Sequence, residues 1–147
     1  MVDSASHAVT AKAVARRLLG ELGAAGLTLD AVAAGAGLAL ADVQAVYPHR
    51  DDLLTALILD AYNASGAAME NADRAARDAK EPAGARLLAV TRALRSWSFA
   101  HPEEFTLVYG SPVPGYHAPQ ETVPAASRTP AVLAAIVREA LEAGELT

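Results

Sequence analysis

The 147-residue chain is expected to be all-α, a three-helix N-terminal unit followed by a longer helical one. Three observations lead there. Apolar residues make up 52% of the chain and aromatics only 5%, so the apolar content is largely alanine, which forms helices well and strands poorly. Apolar residues recur at spacings of three and four, the period of a helix with one buried face. Glycine and proline stand where those periods stop, at Gly23, Gly37, Pro48, Pro82, Pro102, Gly110 and Gly144.

Residues 1 to 6 are small and polar and are expected to fray. A first helix follows, with Val9, Ala13, Val14, Leu18 and Leu22 inward, Arg16 and Arg17 on the solvated side, and Gly23 and Gly26 at its end. Thr28 can cap a second helix that turns Leu29, Val32 and Ala33 inward and closes at Gly37 in a left-handed turn. A third carries Leu40, Val43 and Val46 or Tyr47 until Pro48 and His49 break it. Two helices of about two turns, joined by a short glycine-containing turn, are the sequence form of a helix-turn-helix. Small residues at Ala33 and Gly37 allow the helices to cross closely.

Arg50 opens a long helix reaching about Ala79, with Leu54, Leu57, Ile58, Ala61, Tyr62, Ala68, Met69 and Ala72 on one face. Asp51 and Asp52 lie in its first turn, where the helix dipole favours them, a far commoner role than acid-base catalysis. Gly66 costs this helix about 1 kcal/mol relative to alanine and is a candidate bend. Asn71 to Lys80 has no wide apolar face, and Glu81-Pro82 reads as a boundary. The next helix lines up Leu87, Val90, Thr91, Leu94, Trp97 and His101 and stops at His101-Pro102. Pro102 suits the first turn of another, with Glu103 and Glu104 at its positive end, Phe105, Val108 and Tyr109 inward, and Gly110 as its stop.

From Ser111 to Pro124 four prolines and Gly115 exclude regular helix. Val113 and Tyr116 can anchor this stretch, which favours an ordered, lid-like crossing over a disordered one. Thr129-Pro130 is a cap followed by proline at the first helical position, before a stripe of Val132, Leu133, Ile136, Val137, Ala140 and Leu141 that ends at Gly144. The expected division is 1–49, the helix-turn-helix domain, and 50–147, a helical domain for ligand binding and dimerisation.

The chain carries no Walker loop, no Gly-x-Gly-x-x-Gly, no His-Glu-x-x-His and no Gly-x-Ser-x-Gly, so an enzyme is not the expected class. His7, His49, His101 and His117 lack metal-ligand spacing, and without cysteine a structural zinc site is not expected; no cofactor is implied. Absence of cysteine fits a reducing compartment. No run approaches the roughly 18 apolar residues of a membrane span, and the N-terminus lacks the basic start of a signal peptide, so a cytoplasmic protein without a membrane partner is expected. The net charge is -5, and even through Asp52 the cations Lys12, Arg16, Arg17 and Arg50 are outnumbered by Asp3, Glu21, Asp30, Asp42, Asp51 and Asp52. Bulk electrostatics therefore do not by themselves indicate nucleic acid.

Specific residues do. Ala15, Leu18, Leu19, Glu21, Gly23, Thr28, Val32, Ala33, Gly37, Tyr47, Arg50 and Leu53 fall without a gap on the pattern of the N-terminal domain of TetR-type, tetracycline-repressor-like transcriptional regulators. Trp97-Ser-Phe-Ala-His-Pro-Glu-Glu-Phe105 and Tyr109-Gly-Ser-Pro-Val-Pro-Gly-Tyr116 resemble the C-terminal regulatory domain of one branch of that family. The resemblance implies a ligand-responsive repressor, a homodimer on a double-stranded DNA operator, released by a small apolar or amphipathic inducer. By register the reading helix is Leu40 to Val46, with Thr28, Tyr47, His49 and Arg50 at backbone-contacting places. Ala39 stands where the family has a capping Ser or Thr, Gln44 where it has Tyr, and Val46 where it has His. Gln44 can still read adenine through paired hydrogen bonds, Leu40 or an alanine can touch a thymine methyl, and Asp42 can accept from cytosine or repel a phosphate. A helix-turn-helix kept only for packing, in a module that binds small molecules or proteins, is the alternative. Carry-over also makes Thr91, Leu94, Trp97, Ser98, His101, Phe105, Tyr109 and Tyr116 candidates for an inducer pocket, mostly apolar with a few polar groups. The family's chains normally run on past the equivalent of Thr147 through two helices that form a four-helix dimer interface, so this chain is expected to be a piece of a longer protein, to dimerise through what it retains, or to be monomeric. The Val132 to Leu141 stripe is the candidate for dimerisation within it.

Overall fold

Asp3 decides where the first helix starts. In the computed structural model, which describes residues 3–146, its carboxylate accepts the Ala5 N–H at 3.2 Å and α1 (Ser4–Leu22) begins directly after it. Residues 4 to 6 are therefore helical rather than frayed, because the cap satisfies a donor that the first turn leaves free; positions 1 and 2 lie outside the described residues. The remaining helices are α2 (Leu29–Ala36), α3 (Leu40–Val46), α4 (Arg50–Asp78), α5 (Ala83–Ala100), α6 (Pro102–Tyr109), α7 (Val123–Ala126) and α8 (Arg128–Glu142), with 3-10 turns at Ala24–Gly26 and Gln120–Thr122. The all-α expectation holds, with no strand among the described residues. None of these helices alone is long and apolar enough to cross a membrane.

Packing divides the chain into two units, one made of the residues up to Ile58 with Pro102–Pro119, the other of Leu59–His101 with the residues from Gln120 onward. These units differ from the expected ranges 1–49 and 50–147. The reason is local: α4 runs unbroken past position 50 and gives its first turns to the N-terminal core, while α6 packs on α1.

In the first unit the buried face of α1 is Ala11, Ala15, Leu18 and Leu19, whereas Val9, Ala13 and Leu22, expected inward, are exposed. Around it lie Leu27, Val32, Ala33, Val43, Tyr47, Leu53, Leu54 and Leu57. The close crossing of α1 and α2 is made at Gly35: a Cβ there would stand 2.7 Å from Val14 Cγ1. Gly37 serves the turn instead, at φ +64, with the Leu38 N–H returning to Ala33 O at 3.0 Å as α2 ends. The proline-rich stretch is ordered and anchored as expected, since Val113 is buried in this core, Tyr116 packs on it, and the Tyr116 hydroxyl meets Thr55 Oγ1 at 2.8 Å. Helix resumes earlier than expected, because Pro124 falls in the first turn of α7, where its missing N–H costs nothing.

The second unit is centred on Met69, Ala83, Val90, Val132, Ile136 and Ala140 from α4, α5 and α8. Of the expected α8 stripe, Val137 and Leu141 are exposed. Thr129 lies inside α8 rather than capping it; the helix begins two residues earlier than expected, at Arg128, with Pro130 in its first turn. Asp73, in the stretch that lacks an apolar face, is buried by an ion-pair network. Arg86, itself buried, forks onto both Asp73 carboxylate oxygens at 2.8 and 3.1 Å and reaches Glu139 at 2.9 Å, while Arg77 bonds Asp73 and Glu139. The hydrogen bonds it donates to Asp73, and after them that to Glu139, raise the pKa of the Arg86 guanidinium further and keep it charged. A buried cation is tolerated only with this degree of pairing.

Gly66 is no bend. Helix α4 continues through it, and a Cβ there would lie 2.8 Å from Arg128 Cβ. The bare backbone lets Arg128 lie across α4, donating to Glu70 at 2.8 and 2.6 Å and to the Asn63 carbonyl at 3.2 Å.

The Arg128 crossing makes Gly66→Ala a test of packing against propensity. The substitution gains about 1 kcal/mol of helix propensity but overpacks the crossing, at about 1 to 3 kcal/mol. Thermal denaturation followed by circular dichroism should show a lower Tm, and a raised Tm would mean that α8 can retreat without loss. The ion pairs also set a response to acid. Glu70, through its hydrogen bond from Arg128, and Glu139, through its bond from Arg86, are held below their ordinary value of 4.5. Lowered carboxylates contribute stability that is complete above the unfolded value and disappears as pH falls through the folded one. Tm should therefore fall from pH 5 downward, and Glu139→Gln should flatten that slope.

Candidate nucleic-acid interface

The first unit presents α2 and α3 with their axes bent by 115° across the turn after Gly37, inside the range of a helix-turn-helix. Thr28 caps α2, its Oγ1 accepting the Ala31 N–H at 3.1 Å. Ala39 precedes α3 without any side-chain cap. Val43 and Tyr47 are sunk in the core, with Leu40 and Val46 packed against it. These four hold α3 down by one side, which leaves Ala41, Asp42, Gln44 and Ala45 exposed along the other. Ala39, just ahead of the helix, is exposed as well.

The candidate backbone-contacting residues divide. Thr28 and His49 are exposed, and the His49 N–H is held by Asp52 Oδ2 at 2.8 Å, which closes the first turn of α4. Asp52 is thus a cap, in keeping with its place at the positive end of the helix. Tyr47 is buried. Arg50 turns inward: Nε donates to Leu27 O at 2.8 Å and Nη2 to Ala24 O, so the guanidinium ties α4 to the 3-10 turn before α2. Its fork of donors thus reaches the two backbone carbonyls at the ends of that turn. Arg16 pairs with Glu104 at 3.3 Å and Arg17 with Glu21 at 3.2 Å. The second pair is solvent-exposed on both sides and worth under about 1 kcal/mol, so Arg17 can exchange Glu21 for a phosphate at little cost.

The candidate pocket residues do not converge in one unit. Trp97 and His101 pair in the second unit with ring centroids 5.4 Å apart, and Phe105 and Tyr109 pair in the first at 5.1 Å. Trp97 is buried and its Nε1 has no hydrogen-bond partner among the described residues. Leu94 packs on the second core. Hydroxyls expected to face a ligand are used within the chain: Thr91 donates to Leu87 O at 2.9 Å, Ser98 to Arg95 O at 2.8 Å, and Tyr116 is bonded to Thr55. A cavity of about 450 Å3 lies elsewhere, within the first unit, between the end of α1, the start of α6 and residues 111 to 114. None of the eight expected pocket residues lines it. Gly23 marks one edge of this cavity in the sequence as a helix end, but nothing near it names α6 as the opposite wall.

Arg50→Ala should lower unfolding stability in urea by about 1.5 to 3 kcal/mol, the range for hydrogen bonds to a charged group, and Arg50→Lys should restore only part because one ammonium cannot fork onto both carbonyls. An Arg50→Ala protein as stable as the parent would reduce the staple to a surface contact.

With this geometry in view, similarity to known proteins is consistent at three levels. A family model described as tetracyclin repressor-like, C-terminal domain, matches residues 87–146. An HTH-type transcriptional regulator of Mycobacterium tuberculosis is 41% identical over 107 residues, 72% of this chain and 44% of its own length. The chain therefore spans less than half the length of that curated relative. Among solved structures, a Rhodococcus protein with unknown function superposes with TM-score 0.79 at 32% identity, covering 97% of this chain and 71% of that one. The TetR-family regulator PfmR of Thermus thermophilus, at 20% identity, shares the fold with TM-score 0.72 over 94% of this chain and 72% of its own. On the helix-turn-helix register, the family-model match and these relatives together, the chain belongs to the TetR-type, tetracycline-repressor-like family of transcriptional regulators.

Proposed function

We propose that the chain acts as a ligand-responsive, DNA-binding repressor of transcription in the cytoplasm, a homodimer on a palindromic double-stranded operator, and not as an enzyme. The observation that carries this reading is the two-sidedness of α3, pinned through Val43 and Tyr47 and bare along Ala41, Asp42, Gln44 and Ala45. A helix held in that way can enter a major groove without disturbing its own core. Gln44 is the base reader in this arrangement, since its amide both donates and accepts towards an adenine edge. Ala41 and Ala45 leave room for thymine methyls. Thr28, His49 and an Arg17 released from Glu21 face phosphates, and backbone contacts of this kind fix register. Ala39, Leu40 and Asp42 sit at the entry of the reading helix, where Asp42 disfavours a nearby phosphate and accepts from cytosine.

A second reading has its own observation. Arg16, Arg17 and Arg50 are all engaged by groups of the same chain, and Asp42 adds negative charge to the reading face. On that account the fold is kept for binding a small molecule or protein, and operator affinity is lost.

Selection of bound DNA from a random pool, at low salt, separates the two. The repressor reading expects a palindrome with half-sites about one helical turn apart and an affinity that falls steeply with salt. Gln44→Ala should change the base preferred at one position per half-site, at about 1 to 3 kcal/mol of discrimination, and leave the other positions as they were. A pool that never enriches would favour the second reading.

A further inference from the structure

The cavity between α1 and α6 has a chemistry of its own. Its walls are Leu19, Leu107, Val113 and prolines on the apolar side, and Glu103 is the only ionisable residue among those lining it. The Glu103 carboxylate forms no hydrogen bond or ion pair with the described residues, unlike its neighbour Glu104, which Arg16 holds at 3.3 Å. Its position is set by α1: a Cβ on Gly20 would stand 2.8 Å from Glu103 Oε1 and 3.0 Å from Cγ, so the missing side chain makes the space the carboxylate occupies. Thr106 and Ser111 add hydroxyls at the wall; that of Thr106 donates back to Pro102 O at 2.9 Å. A volume of about 450 Å3 falls in the range of sites for small organic ligands.

We propose that this cavity binds a small amphipathic cation, an amine whose ammonium pairs with the Glu103 carboxylate and whose apolar body lies against Leu19, Leu107 and Val113. A carboxylate at an apolar wall with no side-chain partner favours a cation over a neutral or anionic ligand of the same shape, because beyond the positive end of α6 the protein supplies it no counter-charge. Both walls belong to the unit that holds α2 and α3, and the cavity touches Gly23 and Ala24, the latter being the residue whose carbonyl Arg50 holds. Occupancy is therefore positioned to be felt at the turn leading into the helix-turn-helix. This names the ligand class and the site for the ligand response proposed above and rests on that reading for its biological sense, though binding itself does not.

Three probes of matched shape test it: 4-phenylbutylamine, 4-phenylbutan-1-ol and 4-phenylbutyrate, titrated against the full chain by ligand-observed NMR and calorimetry. The amine should bind at least about tenfold more tightly than the butyrate, the size expected for a charge-assisted hydrogen bond. Glu103→Gln should weaken the amine about tenfold and leave the alcohol unchanged. Thr106→Trp, at an exposed position that would fill the cavity, should weaken all the probes that bind, with the helical circular dichroism retained in both variants. No binding by any probe, equal affinity for amine and butyrate, or an amine affinity indifferent to Glu103→Gln or Thr106→Trp would overturn the proposal. DNA selection without any probe judges the repressor reading separately, so an amine site on a protein that enriches no operator would leave this site standing and remove the regulator.

Discussion

Close approach through glycine is the constraint on which both packing units depend. A chain with 5% aromatic residues cannot fill wide interhelical gaps, so its helices must come near one another, and three of them do so at residues without a Cβ. Gly35 lets α2 settle on Val14, Gly20 admits Glu103 against α1, and Gly66 admits Arg128 across α4. In each case a long side chain lies over the bare backbone, with Arg17 Nη2 only 3.1 Å from where a Gly35 Cβ would stand. The glycines thus do more than interrupt helices. At Gly20 and Gly66 they create shallow seats that admit the charged side chains of Glu103 and Arg128.

That arrangement shapes the electrostatics. Arginines in this protein are used chiefly as internal ties, Arg50 onto the carbonyls before α2, Arg86 onto Asp73 and Glu139, Arg128 onto Glu70 and Asn63. A planar guanidinium with several donors suits this work better than an ammonium. The consequence reaches the first unit, where Arg16, Arg17 and Arg50 are all engaged within the chain, so that on the proposed repressor reading specificity would rest on the amide of Gln44 and the small residues flanking it.

The ends of helices were the most legible part of the molecule. Thr28 as a cap, Gly37 and Gly144 as left-handed stops and the break at His101-Pro102 all appear where local chemistry requires, because capping and φ preference involve residues only a few positions apart. Lys80, at φ +58, takes the same left-handed role after α4 without being a glycine, and so gave no signal. Faces were less legible. In α1 the true stripe passes through Ala11 and Ala15, since alanine is small enough for the crossing, and the larger Val9 and Leu22 are displaced to solvent.

Local pattern therefore determined the all-α class, the number and limits of most helices, the helix-turn-helix and the anchoring of the proline-rich stretch by Val113 and Tyr116. Each of these follows from spacing and backbone preference within one or two turns. Tertiary structure alone decided that Arg50 ties the chain to itself, that Asp73 is buried with Arg86, that the aromatic candidates divide between two units, and that a cavity opens between α1 and α6. Those outcomes join residues far apart in sequence, as with Asp73 and Arg86 or Gly20 and Glu103. No periodicity within a single helix encodes such a pairing, because it depends on which helices meet and at what depth.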